Sequence, residues 1–174
     1  MIALRKLCIL MAVIVVGGAA RTAQAKSPSY VDAAFGEECR EILLKELSGA
    51  KKEVRVAIFM FTDRKILAAL RRVHTRKVDL VVKYDQGTAQ RYELMQEMID
   101  DLKGAGVEVI PVVFEKPRGK MHNKFVVIDR KKVLTGSYNF TVTAAEASYE
   151  NLVRIESKVI AKRYLDEFKN IEDR

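Results

Sequence analysis

The sequence predicts an α/β fold: one mixed, largely parallel β-sheet flanked by helices on both faces, an α/β sandwich. Three observations carry this prediction. Short apolar runs rich in branched and aromatic residues (54–61, 78–84, 107–114) alternate with segments whose apolar residues recur at helical spacing, the pattern of strands joined by crossover helices. The runs are almost continuously apolar, as in strands covered on both faces. After residue 120 the rhythm changes to closely spaced strands that read as a hairpin rather than a crossover, so the sheet is mixed.

Each element follows from its residues. Residues 26–31 are a short extended lead-in, since Pro28 discourages helix at Ser27. Phe35, Cys39, Ile42, Leu43 and Leu47 then recur among Glu37, Glu38, Glu41, Lys45 and Glu46, and Ser48-Gly49 ends the pattern, which predicts a first amphipathic helix. The run 54–61 is a buried strand opening into a helix capped by Thr62 or Asp63. Ile66, Leu67, Leu70 and Val73 give that helix its apolar face. Residues 78–84 are a second strand, 91–103 a second crossover helix, and 107–114 a third strand after Gly104-Ala105-Gly106. Residues 124–129 and 132–135 pair through a tight connection at Asp129-Arg130-Lys131. A strand over 150–157 follows, and a helix over 159–171 turns Ile160, Tyr164, Leu165 and Phe168 inward. There is no fixed-period repeat and no low-complexity tract.

The first 25 residues stand apart from this fold. Arg5 and Lys6 precede an uncharged apolar run over 7–20, and Ala23-Gln24-Ala25 supplies small residues at cleavage positions, the three parts of a secretory signal in order. The run falls short of the ~20 residues that span a bilayer. The expectation is an exported protein, periplasmic or secreted, cleaved near Ala25, with an uncleaved N-terminal membrane anchor as the alternative. Residues 26–174 then form a single domain, large enough to bury a core without staples. Losing residues 1–25 removes three cations and no acidic residue, lowering the net charge from +8 to +5. That balance suits a polyanion or an anionic membrane surface and does not choose between them. Cys8 lies in the signal, so Cys39 has no partner within the processed chain. On the apolar side of a helix it reads as buried.

The chemistry sits in His122, Lys124, Asp129, Gly136, Ser137 and Asn139, spaced H-x-K-x₄-D-x₆-G-S-x-N. On a strand His122 and Lys124, two apart, point the same way while Asn123 points away. An imidazole with an unperturbed pKa of about 6.5 can attack phosphorus when neutral or donate a proton when charged. A lysine can neutralise charge that builds on phosphoryl oxygens in the transition state. Ser137 and Asn139 add neutral hydrogen-bond donors, and Gly136 lets a backbone approach closely or take a turn conformation. Lys116, Arg118 and Lys120 precede the motif and form a candidate phosphate-guiding loop. The cluster Arg71, Arg72, Arg76, Lys77 reads as a solvated helix face. His74 ends a helix where cations are favoured, with no lysine two positions on. Tyr84 and Phe114 end strands and are candidates for base stacking or packing. No Cys/His cluster, H-E-x-x-H or calcium-loop spacing is present, so no metal and no cofactor is expected.

These residues resemble the signature of the phospholipase D superfamily, specifically its small single-motif branch of bacterial endonucleases, with every defined motif position matched. The resemblance extends to Asn139-Phe140-Thr141, Glu150-Asn151 and the strand over 54–61. It implies a covalent mechanism: the motif histidine attacks phosphorus, and a second histidine from another motif copy protonates the leaving oxygen. Carried over, His122 is nucleophile or acid, Lys124 and Asn139 hold phosphate oxygens, and Ser137 supports them. Glu150 matches the acidic residue that orients the histidine, and Asp129 holds the motif's strand and turn. Arg118, Lys120 and Gly136 are the substrate-binding candidates. One chain holds one motif, which implies a homodimer that brings two copies of His122 together. The expected function is a metal-independent phosphodiesterase, a nonspecific endonuclease cutting DNA, with RNA as a further candidate substrate. The alternative is a phospholipase acting on phosphatidylcholine or cardiolipin. The polar, basic approach over 115–120 favours nucleic acid, because a bilayer enzyme should present apolar loops there. A binding module without activity would show a broken motif, and none of these positions is broken.

Overall fold

Alternating side chains explain why one sheet can carry two cores. A computed structural model describes residues 30–116 and 118–174; the predicted signal at 1–25 lies outside them. The elements run β1 (Tyr30–Phe35), α1 (Glu37–Ser48), β2 (Glu53–Ile58), α2 (Arg64–Thr75), β3 (Asp79–Asp85), α3 (Gln86–Arg91), α4 (Glu93–Gly104), β4 (Glu108–Val112), β5 (Lys124–Ile128), β6 (Lys132–Gly136), α5 (Val142–Glu146), β7 (Asn151–Glu156) and α6 (Lys158–Asn170). Val54, Val56, Ile58, Leu80, Val82, Val126, Ile128 and Leu134 face α1, α2 and α4, while Ala57, Val81, Phe125, Val127 and Val133 face α6. Both faces are covered, which is why these strands read as continuous apolar runs. Each fully buried Val, Leu, Ile or Phe contributes about 1.5–3 kcal/mol.

The strand order is β1-β7-β6-β5-β2-β3-β4. The sheet is mixed, as predicted, but parallel pairing is confined to β2-β3-β4; β2-β5, β5-β6, β6-β7 and β7-β1 are antiparallel. "Largely parallel" therefore describes only the first half of the chain. The cause is connection length: α2 and the α3-α4 pair are long enough to cross over, whereas the turn between β5 and β6 permits only an antiparallel return.

Two elements depart from the predicted outline at the start. Residues 30–35 form a full edge strand, and Phe35 ends it at 63% exposure instead of opening α1. Gly36, at φ 54°, supplies the left-handed break between them. Asp63 is the cap of α2, accepting from the amides of Lys65 and Ile66 at 2.7 and 3.4 Å. Cys39 is buried, its thiol pushed up to about 11 by burial and then by the nearby Glu150.

The β5-β6 turn puts Asp129 and Arg130 at φ 53° and 58°, a conformation costing about 1–2 kcal/mol per non-glycine residue. Asp129 offsets it. Its carboxylate accepts from the amides of Lys52 (2.7 Å), Lys51 (3.1 Å) and Glu53 (3.2 Å), clipping the hairpin to the start of β2. Burial raises its pKa, and the three amides outweigh that and hold it below the usual carboxylate value. A depressed carboxylate pKa contributes stability that is present above the unfolded value of about 3.9 and lost as pH falls through the folded value. Asp129→Ala is expected to lose about 2–4 kcal/mol, since charge-assisted bonds carry about 1.5–3 kcal/mol each and are not additive. Urea unfolding at pH 7 and pH 3 checks this: the gap between wild type and variant should narrow at pH 3.

Candidate active site

Sheet topology collects the motif at one edge. The register aligns Ile58 with Lys124 and Tyr84, and Gly136 with Leu152. The carboxyl ends of β2, β3, β4 and β6 thus meet the amino ends of β5 and β7. His122 precedes β5, Ser137 and Asn139 follow β6, and Glu150 precedes β7, so residues 28 positions apart share one rim. Asp129 is not brought there. It closes the other end of β5, about 16 Å away at 3.3 Å per residue, and its place in the motif is explained by the hairpin clip.

His122 is exposed and Lys124 is buried. The Lys124 ammonium lies 3.3 Å from Nε2 and 3.5 Å from Nδ1 of His122, and donates to the His122 carbonyl at 3.0 Å. The imidazole packs edge-on against Phe59, ring centroids 4.5 Å apart. Lys124 Nζ and Lys120 Nζ stand 5.1 and 5.7 Å over the same ring. Partial desolvation against its neighbours lowers the pKa of the otherwise exposed His122, Lys124 and Lys120 lower it further, and Asp85 opposes them. The shift favours the neutral ring, the form that carries a nucleophilic lone pair. Burial also holds Lys124 below an ordinary lysine value, with Glu150 acting in the opposite direction.

Ser137 and Glu150 form a second group. The Ser137 hydroxyl donates to the Glu150 carboxylate and accepts from the backbone and side-chain N–H groups of Asn151 at 3.1 and 3.2 Å. Glu150 does not orient His122 within this chain. The His122 ring is held by Lys124 and Phe59, and the end of β6 separates Glu150 from it by two strand spacings, about 10 Å. Asn139 has its side-chain oxygen buried without a hydrogen-bond partner, beside a groove of about 460 Å³ lined also by Met60, Tyr92, Leu94 and Glu150. Such an acceptor is costly to leave unpaired and marks a place where a donor belongs.

Gly136 is a glycine for packing. A Cβ there would lie 2.1 Å from the Asn151 carbonyl oxygen, so the β6-β7 crossing fills the space a substrate group would need. Gly136→Ala is expected to destabilise the fold by about 1–3 kcal/mol or more and to displace Ser137; an unchanged melting temperature would contradict this. Arg118 and Lys120 are exposed and line a groove of about 490 Å³ with Phe59, Arg91 and Tyr92. The two grooves meet along Met60 and Tyr92.

Phe59 and Asp85 are site residues that sequence reasoning missed. Phe59 sat inside an apolar run, and only its place just past the end of β2 distinguishes it. Asp85 closes the polar end of an apolar run, and nothing in the sequence ties it to His122, 37 positions later. Of the aromatic candidates, Tyr84 is buried in the core with Lys103 5.6 Å over its ring, and Phe114 packs against the α6 core. Arg71 pairs with Asp101, and Arg76 donates to the Leu47 and Ala50 carbonyls at the opposite end of the sheet. Among the described residues, no group of three or more His, Cys, Asp or Glu is arranged to hold a metal ion, and no helix is long and apolar enough to cross a membrane.

A domain model described as "Cardiolipin synthase, PLD-like domain" matches residues 43–172, which include every site residue above. The chain belongs to the phospholipase D-like family. Its relatives include Phospholipase D of Rickettsia typhi, 32% identical over 73% of this chain and 59% of that protein. Mitochondrial cardiolipin hydrolase of Xenopus laevis is 33% identical over 82% of this chain and 62% of that protein. The chain spans about three fifths of the length of these family members. Among solved structures, the phospholipase D family member Nuc from Salmonella typhimurium superposes with TM-score 0.75 at 23% identity, covering 82% of this chain and 93% of that one. NucT from Helicobacter pylori gives 0.73 at 22% identity over 82% and 96%. The likeness to these two establishes the phospholipase D-like fold.

Proposed function

We propose that this chain is a phosphodiester hydrolase, a nuclease of low sequence preference acting on DNA, with RNA as a further candidate substrate, whose site is completed by a second copy. The observation that carries the reading is the His122-Lys124 contact: an exposed imidazole with a buried ammonium 3.3 and 3.5 Å from its ring nitrogens. A ring nitrogen of His122 attacks phosphorus, the P–N bond forms as the P–O ester bond breaks, and the leaving oxygen takes a proton from the second copy's imidazole. That imidazole then removes a proton from water, which attacks phosphorus and releases His122 and a phosphomonoester. Lys124 and Asn139 stabilise the phosphoryl oxygens, so the chemistry needs no metal. The exposed cations Lys116, Arg118 and Lys120 favour a polyanionic chain.

A phospholipid phosphodiester is the second reading, favoured by exposed Tyr92, Leu94, Val142 and Tyr149 near the Asn139-Glu150 groove and by relatives whose names are phospholipase D and cardiolipin hydrolase. Residues 1–25 are proposed to direct export, which N-terminal sequencing of the extracytoplasmic protein tests. Residues 26–174 incubated in EDTA with plasmid DNA, RNA or cardiolipin vesicles separate the substrates. Nicking or cutting of nucleic acid in chelator supports the nuclease; headgroup release with intact nucleic acid overturns it.

The pH profile follows from the charge states. Raising pH through the lowered His122 pKa frees the nucleophile, so kcat/KM should climb at a pH below the ordinary value of about 6.5. It should fall again as the protonated partner imidazole is lost, giving a bell whose limbs belong to the pair. A profile rising monotonically to pH 9 would contradict a shared proton.

A further inference from the structure

Asp85 ends β3 beneath the segment that carries His122, and the reaction just described assigns it no part. It is 2% exposed. One carboxylate oxygen accepts from the Thr88 amide at 2.7 Å, capping α3. The other accepts from the Met121 amide at 2.8 Å, one residue before His122. Residues 119–123 have no regular secondary structure, so this stretch must be held by side chains. Its anchors are the buried Met121 side chain, the Asp85 bond to the Met121 amide and the Lys124 bond to the His122 carbonyl. Asp85 and Lys124 therefore grip the backbone on the two sides of the His122 Cα.

We propose that Asp85 is a positioning residue for His122, fixing the imidazole through the Met121 amide and placing a buried negative charge beneath it. This rests on the reading of His122 as nucleophile. A helix cap alone needs one acceptor; the second oxygen is spent on a loop 36 positions away in sequence. The charge matters because Lys124 and Lys120 are the cations that act on the ring. Both disfavour the imidazolium, and Asp85 counters them. Along the small groove on the other side of His122 lie Glu167, Glu172 and Arg174. The ring attacks through a lone pair and becomes positively charged as the P–N bond forms, and the Asp85 carboxylate offsets that charge against the two lysines. Without it that counter-charge is lost.

Asp85→Asn keeps the shape and removes the charge; its single amide oxygen can accept only one of the two N–H groups, and its NH₂ faces the other. The expected result is a folded protein with kcat reduced about 10- to 100-fold, as a displacement of about 1 Å can produce, and KM changed by less than about threefold. The His122 ring, resolved from His74 by NMR, should titrate at lower pH than in wild type. A cap lost for purely structural reasons would lower stability without moving that titration. A second measurement is made on wild type, so it does not depend on the variant folding: the Met121 amide should be protected from hydrogen exchange. A freely exchanging Met121 amide, or a variant with wild-type kcat and an unshifted His122 titration, overturns the proposal. If wild type hydrolyses no phosphodiester, the functional reading fails, and the titration and exchange data still decide the role of Asp85.

Discussion

His122→Ala is expected to abolish phosphodiester hydrolysis, lowering kcat by about 10⁴-fold or more, the scale seen when a covalent nucleophile is removed. The same substitution leaves the fold intact. His122 is exposed and outside the strands, and surface changes of this kind stay within about 0.5 kcal/mol. His74 cannot substitute: it sits at the last turn of α2, beside Gly106 and away from the rim. Activity of His122→Ala above about 1% of wild type, with unchanged unfolding, would mean that another group attacks phosphorus.

Lys124 carries the second large effect. Its ammonium is buried between the Phe59 ring and His122, so in a low-dielectric setting its charge acts strongly on developing phosphoryl charge. Lys124→Ala is expected to lower kcat by about 10²–10³-fold. Lys124→Arg should rescue little, because a planar guanidinium cannot occupy the slot of a compact ammonium that also reaches the His122 carbonyl. Steady-state kinetics should show the loss mainly in kcat. A large rise in KM with unchanged kcat would instead make Lys124 a ground-state binding group.

Where the sequence is periodic, the fold is legible in it. β2 and β3 are apolar runs covered on both faces, β4 is an apolar edge strand with Glu108 and Pro111 exposed, and α1, α2, α4 and α6 carry apolar stripes, so the pattern of β2, β3 and these helices reflects burial directly. β1 is an edge strand whose exposed Tyr30, Val31 and Phe35 give no alternation, and it is fixed by pairing to β7, about 120 residues later. α3 is one and a half turns of Gln-Gly-Thr-Ala-Gln-Arg, held by the Asp85 cap instead of an apolar face, and α5 is shorter still.

The site divides the same way. His122 and Lys124 are two apart on one strand, so their convergence follows from local geometry. Ser137, Asn139 and Glu150 reach the rim only through the antiparallel return of β6 and β7, and the distance between Glu150 and His122 depends on strand order. Asp129 shows the limit of spacing arguments: it is five positions from Lys124, yet it belongs to the other end of the sheet because a strand carries it there. Phe59 and Asp85 end parallel strands whose register with β5 is set by tertiary pairing.

The proposed reading gives one chain half a site, and subunit mixing tests that directly. Wild-type protein refolded together with increasing His122→Ala protein, then assayed in EDTA on bis(p-nitrophenyl) phosphate, reports how many copies of His122 each turnover needs. If two copies share one site, a tenfold excess of the variant leaves about one wild-type chain in eleven with a wild-type partner. Activity per wild-type chain should then fall about elevenfold. Activity that stays constant at every ratio would place the complete site within a single chain and contradict the account.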